Sequence, residues 1–186
     1  MTVPYLPVYI PVELCSAVSL PVSTPLDACM ARVKADVSAD GVAAPAADVP
    51  GLQKVVAAAR DRGVDLKVVV LASSPPIDTP LRDVATAIGK DHPGSTVLVL
   101  SPGWAGSYST EYDRVLLEAG QDVAKTAPNP VQGAQNFADQ LITPIFPWTA
   151  FTVGLLLAVA GAVAVTRFLQ RLANSRPGAE TEAEQG

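Results

Sequence analysis

A chain of 186 residues suits one domain of roughly 100–150 residues with further segments to spare. Its 13 Lys and Arg stand against 18 Asp and Glu, a formal net charge of −5, which argues against nucleic-acid binding. The mean hydropathy of +0.29 is high for a soluble protein, and the excess is concentrated near the C-terminus.

The chain opens on MTVPYLPVYIPVE. Its prolines favour an extended, polyproline-like arm, which we set at residues 1–25. Such an arm is either a docking strand for a partner or a lead-in packed on the domain, and the second reading carries more weight. Cys15 and Cys29 leave two readings open: one disulfide in an oxidising compartment, or two buried thiols in a reducing one. No CxxC spacing occurs, so zinc and thioredoxin-like chemistry have no support.

Residues 26–37 read as a helix, with Thr24 and Pro25 as the start signal. Residues 41–47 are an Ala/Pro loop. Leu52, Val55, Val56 and Ala59 then recur at helical spacing, and Gly63 is placed to stop that helix. The stretch DLKVVVLASSPP, residues 65–76, is a buried strand ended by serines and prolines. Thr79 as cap and Pro80 at the first helical position open a second helix, with Leu81, Val84, Ala85 and Ile88 on one face and Gly89 at its close.

A second buried strand covers residues 96–100, and the order strand, helix, strand implies a parallel pair with a right-handed crossover. Residues 112–118 fit a further strand or a short helix. After the turn at residues 128–130, Ala134, Phe137, Ala138 and Leu141 mark an amphipathic helix over residues 131–141. The fold class is therefore α/β: a small open sheet with flanking helices over residues 26–143.

One transmembrane helix follows. Residues 148–166 contain no charged side chain and span about 28 Å as a helix, close to the ~30 Å hydrocarbon core. Ile145 and Phe146 extend its start, giving a span of residues 145–167. Phe146 and Trp148 suit an interfacial aromatic belt, and Arg167 and Arg171 end the apolar run. A buried core helix would carry a polar stripe, which this one lacks. Residues 168–186 read as a disordered tail.

Arg167, Arg171 and Arg176 follow the span, whereas residues 128–147 hold no Lys or Arg. The positive-inside rule thus places the tail in the cytoplasm and the N-terminal domain outside. Against this, residues 1–30 lack a basic n-region, and Pro4, Pro7 and Pro11 interrupt any h-region. The charge rule is given the greater weight. Within the span, Gly154, Ala158 and Ala162 recur every four residues, a spacing that permits close helix–helix approach with a second copy or another envelope protein.

Ligands of open α/β sheets collect beyond the C-terminal ends of the parallel strands. Those ends carry Ser73, Ser74, Asp78 and Thr79 after the first strand, and Ser101, Trp104, Ser107 and Tyr108 after the second. Together they suit an anion or small polar ligand, with Thr79 at a helix N-terminus. The same residues serve equally as strand ends, a cap and an edge cover. No cofactor is implied. A divalent cation would have to use Asp78, Asp83, Asp113 and Glu118, whose spacing matches no metal loop. His92 is the only histidine, so a Ser/His/Asp triad would depend on it, and GWAG lacks the Lys-Ser/Thr of a phosphate loop.

Two stretches carry a resemblance: IDTPLRDVATAIG at residues 77–89 and TVLVLSPGWAGSYSTEYDRVLLEAG at residues 96–120. With their element order they resemble the TPM domain, and more closely a family of small actinobacterial single-pass membrane proteins that carry such a domain, over residues 50–166. Lys90-Asp91-His92-Pro93-Gly94 stands where a Trp-Gly-x-Gly segment usually precedes the second strand. The resemblance implies an envelope-associated α/β domain with a binding or assembly role. Because some TPM proteins are linked to phosphatase activity or divalent metals, a weak hydrolase using Asp78 and a metal is the alternative. The expectation is a membrane-tethered, non-catalytic interaction module. Its partners are the lipid bilayer and an envelope protein or a second copy, and none is a nucleic acid.

Overall fold

The computed structural model describes residues 9–143 and 148–174. The readings placed on Pro4, Pro7, Ile145, Phe146, Arg176 and the end of the tail lie outside the described residues, as does the side chain of Trp148. The chain divides into two units, Met1–Thr143 and Pro144–Gly186.

In the first unit a 3-10 helix, Val12–Val18, precedes α1 (Leu26–Asp40), β1 (Val42–Ala43), α2 (Val49–Asp61), β2 (Leu66–Val70) and α3 (Thr79–Gly89). Then come β3 (Thr96–Ser101), β4 (Trp104–Tyr108), α4 (Arg114–Lys125) and α5 (Pro130–Ile142). The strands form one sheet in the order β1-β2-β3-β4. The first three run parallel and β4 turns back antiparallel, with Ser101 opposite Trp104 and Val97 opposite Tyr108.

The two-residue period of a strand sorts the core into two layers. Leu66, Val68 and Val70 of β2, with Leu98 and Leu100 of β3, pack with α2, α4 and α5. Val69 and Leu71, with Val97 and Val99, pack on the other face with the 3-10 helix, α1 and α3. Burial on both faces explains why β2 and β3 read as unbroken β-branched runs rather than alternating ones. It also bears on chirality. The crossovers through α2 and α3 both step the same way across the sheet but lie on opposite faces, so they have opposite hands. The right-handed rule holds for only one of them.

Several expectations are corrected. The arm does not run extended to residue 25: Val12–Val18 is helical and buries Leu14, Cys15 and Ala17. Cys15 and Cys29 are both fully buried and joined as a disulfide, which fastens the 3-10 helix to α1. The loop at residues 41–47 contains β1, too short for any periodicity to reveal. Of the two readings of residues 112–118, strand or helix, the helix forms, from Arg114 onward, because Leu117, Gly120 and Ala124 bury one helical face. Asp78, not Thr79, is the N-cap of α3. Gly63, by contrast, stands just past α2 as expected, with φ +86°.

Strand β4 falls on residues expected only as ligand positions beyond the second parallel strand. Its sequence, WAGSY, lacks a β-branched residue, and its central glycine looks like a breaker. Tertiary packing supplies the reason for that glycine. A Cβ on Gly106 would stand 2.6 Å from the Arg82 nitrogen and 2.7 Å from the Leu81 carbonyl carbon, so α3 sits on β4 only because no side chain intervenes.

In the second unit α6 runs from Trp148 to Asn174, so residues 168–174 are helix rather than tail. Arg167 and Arg171 end the apolar stretch without ending the helix. Within it, Thr149–Asn174 is long and apolar enough to cross a membrane, with a mean hydropathy of 2.1 in its most apolar window.

Candidate functional site

The C-terminal ends of the parallel strands open into a cleft of about 330 Å³. Its floor is Val70 and Leu71 at the end of β2, with Leu100 and Ser101 at the end of β3. Sequence explains this floor: the apolar runs are strand core, and the chain turns polar or proline-rich only as each strand leaves the sheet. The walls come from loops. Pro45 and Asp48 lead into α2, Pro102 and Gly103 form the β3–β4 turn, and Ala124, Lys125 and the segment Ala127–Pro130 bridge α4 to α5. Two helix starts, those of α2 and α5, therefore lie at the mouth. The start of α5 is firmly built: Asn129 accepts from the Gln132 N–H at 2.9 Å, and Pro130 begins the first turn.

Ser101 ends β3 at the border of this cleft. It is 8% exposed, and its Oγ has no hydrogen-bond partner among the described residues. A buried hydroxyl left unpaired costs about 1–3 kcal/mol, and strand alternation sets this side chain on the face of Val97 and Val99, opposite the α2, α4 and α5 side from which the cleft walls rise.

The other site candidates are not gathered here. Ser73 is exposed, and Ser74 donates from Oγ to the Pro102 carbonyl, bracing the loop after β2 against the β3–β4 turn. Asp78 and Trp104, the latter 39% exposed, line a separate polar hollow of about 240 Å³ between α3 and α4. Asp78 and Thr79 also border a smaller recess beside Gly106. Tyr108 lies farther along β4, in a hollow it shares with Arg82 and Gln121. The structure thus divides the set between the end of the sheet, which holds Ser101, and the β4 edge, which holds Asp78, Thr79, Trp104 and Tyr108.

That edge is dominated by ion pairs. Arg114 Nε lies 2.7 Å from Glu118 Oε1, Arg82 approaches the same oxygen at 3.9 Å, and Lys125 Nζ lies 2.7 Å from Asp122 Oδ1. The Arg82–Glu118 pair joins α3 to α4 across the edge strand, a way of covering an unpaired edge. Of the remaining candidate cation ligands, Asp83 accepts the Tyr9 N–H at 3.2 Å and Asp113 is the N-cap of α4. Among the described residues no group of three or more His, Cys, Asp or Glu is placed to hold a metal ion. His92 lies 3.4 Å from the Ser38 hydroxyl, on α1. Beside it, Asp91 pairs with Lys34 at 2.6 Å. That hydrogen bond, aided by the Lys34 and His92 charges and opposed by desolvation, holds the Asp91 carboxyl below its ordinary range.

Pro45, Asp48, Lys125 and Asn129 were not singled out from the sequence, although one signal was present. Asp48 and Asn129 each stand just before a proline-marked helix start, the same pattern as Asp78-Thr79-Pro80. Helix starts that follow or face parallel strand ends gather at one edge of the sheet. On α6, Gly154, Ala158 and Ala162 are exposed, and a Cβ on Gly154 would meet nothing within 4 Å.

Comparison with known proteins agrees with the membrane reading. A family model described as membrane protein Rv1476 matches residues 20–182. The membrane protein Rv1476 of Mycobacterium tuberculosis (strain ATCC 25618 / H37Rv) is 52% identical over 186 residues, covering 100% of this chain and 95% of that protein. No solved structure matches the chain. The chain belongs to the membrane protein Rv1476 family, as an α/β domain followed by one apolar helix able to cross a bilayer.

Proposed function

We propose that this protein is a membrane-tethered, non-catalytic interaction module of the cell envelope, with its α/β domain on the extracytoplasmic side. The observation that carries the reading is the buried Cys15–Cys29 disulfide in a domain attached to a membrane helix. Disulfides persist in oxidising compartments and are rare where thiols are kept reduced. The arginines that follow the apolar span, Arg167 and Arg171, argue for the same orientation through the positive-inside rule.

The interaction role rests on the cleft. Its lining is mainly aliphatic and proline, with polar groups at a few points, which is the make-up of a binding surface rather than of a proton-transfer centre. The TPM-like likeness belongs to this proposal as well, supported by the order of helices and strands. We include in it a lateral contact in the membrane, with a second copy or another envelope protein, through the face that carries Gly154, Ala158 and Ala162.

The test is topology. A reporter cysteine at the exposed Lys90, in a chain that keeps the Cys15–Cys29 pair, is exposed to an impermeant thiol reagent on intact cells. Labelling before lysis is the expected result. Labelling only after lysis overturns the orientation and, with it, the envelope-facing role.

A further inference from the structure

We propose that the end of α6, residues 167–174, lies in the headgroup layer of the membrane and binds the phosphates of anionic lipids through Arg167 and Arg171. This rests on α6 crossing a bilayer and not on which side the domain occupies. Length, pattern and charge converge on it.

The 27 residues of α6 extend about 40 Å at 1.5 Å per residue. The hydrocarbon core takes about 30 Å, whereas core and headgroup layers together take about 40–45 Å. The uncharged run of residues 148–166 fills the core. The helix then continues for about two more turns, at headgroup depth.

The pattern changes at that depth. Through the core α6 is apolar on every side. Beyond it, at about 100° per residue, Arg167, Gln170, Arg171 and Asn174 share one side, and Phe168, Leu169 and Leu172 take the other. Those three apolar side chains are each more than half exposed. A helix divided in this way, with basic groups on its polar side, suits a lipid surface. Helical side chains lean towards the N-terminus, which here returns Phe168 and Leu169 to the hydrocarbon. Arginine stems are long enough to reach the phosphates.

Charge selects the kind of lipid. Helix α6 contains no acidic residue, and its two arginines stand one turn apart. Each guanidinium is a planar fork that matches phosphate oxygens. The nearest acids after them in the sequence are Glu180, Glu182 and Glu184, and the chain carries −5 overall, so attraction to an anionic surface has to be local. A zwitterionic headgroup sets its own ammonium beside the phosphate and competes with the guanidinium, whereas an anionic one does not. A second protein helix would cover Phe168, Leu169 and Leu172 and leave the arginines unmatched. The lipid surface suits both sides at once.

The experiment uses the full chain with Ala173→Cys, whose thiol alone takes an environment-sensitive NBD label because Cys15 and Cys29 are joined. It is reconstituted in phosphatidylcholine vesicles with increasing phosphatidylglycerol. The expected result is a blue shift of the label as phosphatidylglycerol rises, reversed by high salt. Arg167→Gln with Arg171→Gln should raise the phosphatidylglycerol fraction at half-shift at least about ten-fold, given roughly a factor of five per basic residue. Lys54→Gln with Lys90→Gln removes the same charge from exposed positions of the domain and should change nothing. The salt response is read with both arginines in place, so the outcome does not depend on the double variant inserting. Emission that ignores phosphatidylglycerol, or that both double variants alter equally, overturns the proposal. So does emission that follows the protein-to-lipid ratio instead, which assigns the apolar side to a second copy. Inorganic phosphate added to pure phosphatidylcholine vesicles should give no shift; a shift there assigns the arginines to free phosphate and overturns the lipid assignment.

Discussion

Strands β2 and β3 and helix α6 all draw heavily on Val and Leu, yet their surroundings are opposite. Val68, Val69, Leu98 and Val99 are fully buried by protein on both faces of the sheet. Leu155, Leu156, Leu157 and Val163 of α6 are more than half exposed. In the domain, apolar side chains are removed from water by one another. Along α6 they stand exposed among the described residues, and a bilayer is a medium that would take them from water. An apolar run therefore specifies burial without specifying by what. Length decides: five or six residues make a strand, whereas 26 can reach across a membrane.

The largest test of this contrast compares two phenylalanines. Phe137 of α5 is fully buried and its ring fills the space beside Gly120. Phe137→Ala should cost the domain about 3–5 kcal/mol in denaturant unfolding followed by far-UV circular dichroism. Phe168, 61% exposed on α6, should give no change in the same measurement when replaced by Ala. Equal losses at the two positions would break the contrast, because α6 would then be part of the domain core.

A smaller effect sharpens the picture on the membrane side. Gly154→Ile with Ala158→Ile should leave membrane insertion intact, since the helix becomes more apolar. It should weaken helix association in a membrane reporter assay, because the bulky side chains hold the two backbones apart. Unchanged association would remove that face from the proposed partner contacts.

The smallest effect concerns the Lys34–Asp91 pair, which ties α1 to the loop after α3. The Asp91 carboxyl is held below its ordinary value, so its folded form binds a proton less readily than the unfolded chain. Its contribution to stability is thus present above the unfolded value of about 3.9 and lost as pH falls through the folded one. Lys34→Met should move the Asp91 titration upward in carbonyl NMR. A titration that stays in place would show that another group holds the carboxyl down.

The candidate site was legible only in part. Ser101 stood out because it ends a strand of unbroken apolar residues, and that position follows from pattern alone. That it remains unpaired, while Ser74 finds the Pro102 carbonyl and Ser107 accepts from Gln121 at 2.7 Å, depends on which loops fold back over each strand end. The separation of Asp78 and Trp104 from Ser101 was hidden for a related reason. Trp104 begins an antiparallel strand that carries the chain away from the cleft, and its signal was erased by Gly106.

By itself the sequence determined α1, α2, α3 and α5, the central strands β2 and β3, the α/β class and the apolar helix able to cross a membrane. These follow from periodicity, from threonine–proline pairs at helix starts, and from the length of one uncharged run, all of them local properties of the chain. Only the tertiary structure decided the pairing of Cys15 with Cys29, the strand status of residues 104–108, the opposite hands of the two crossovers and the position of the cleft. Each depends on segments distant in sequence meeting in space. Such contacts are fixed by how two layers of helices close over one sheet, and no local pattern encodes that.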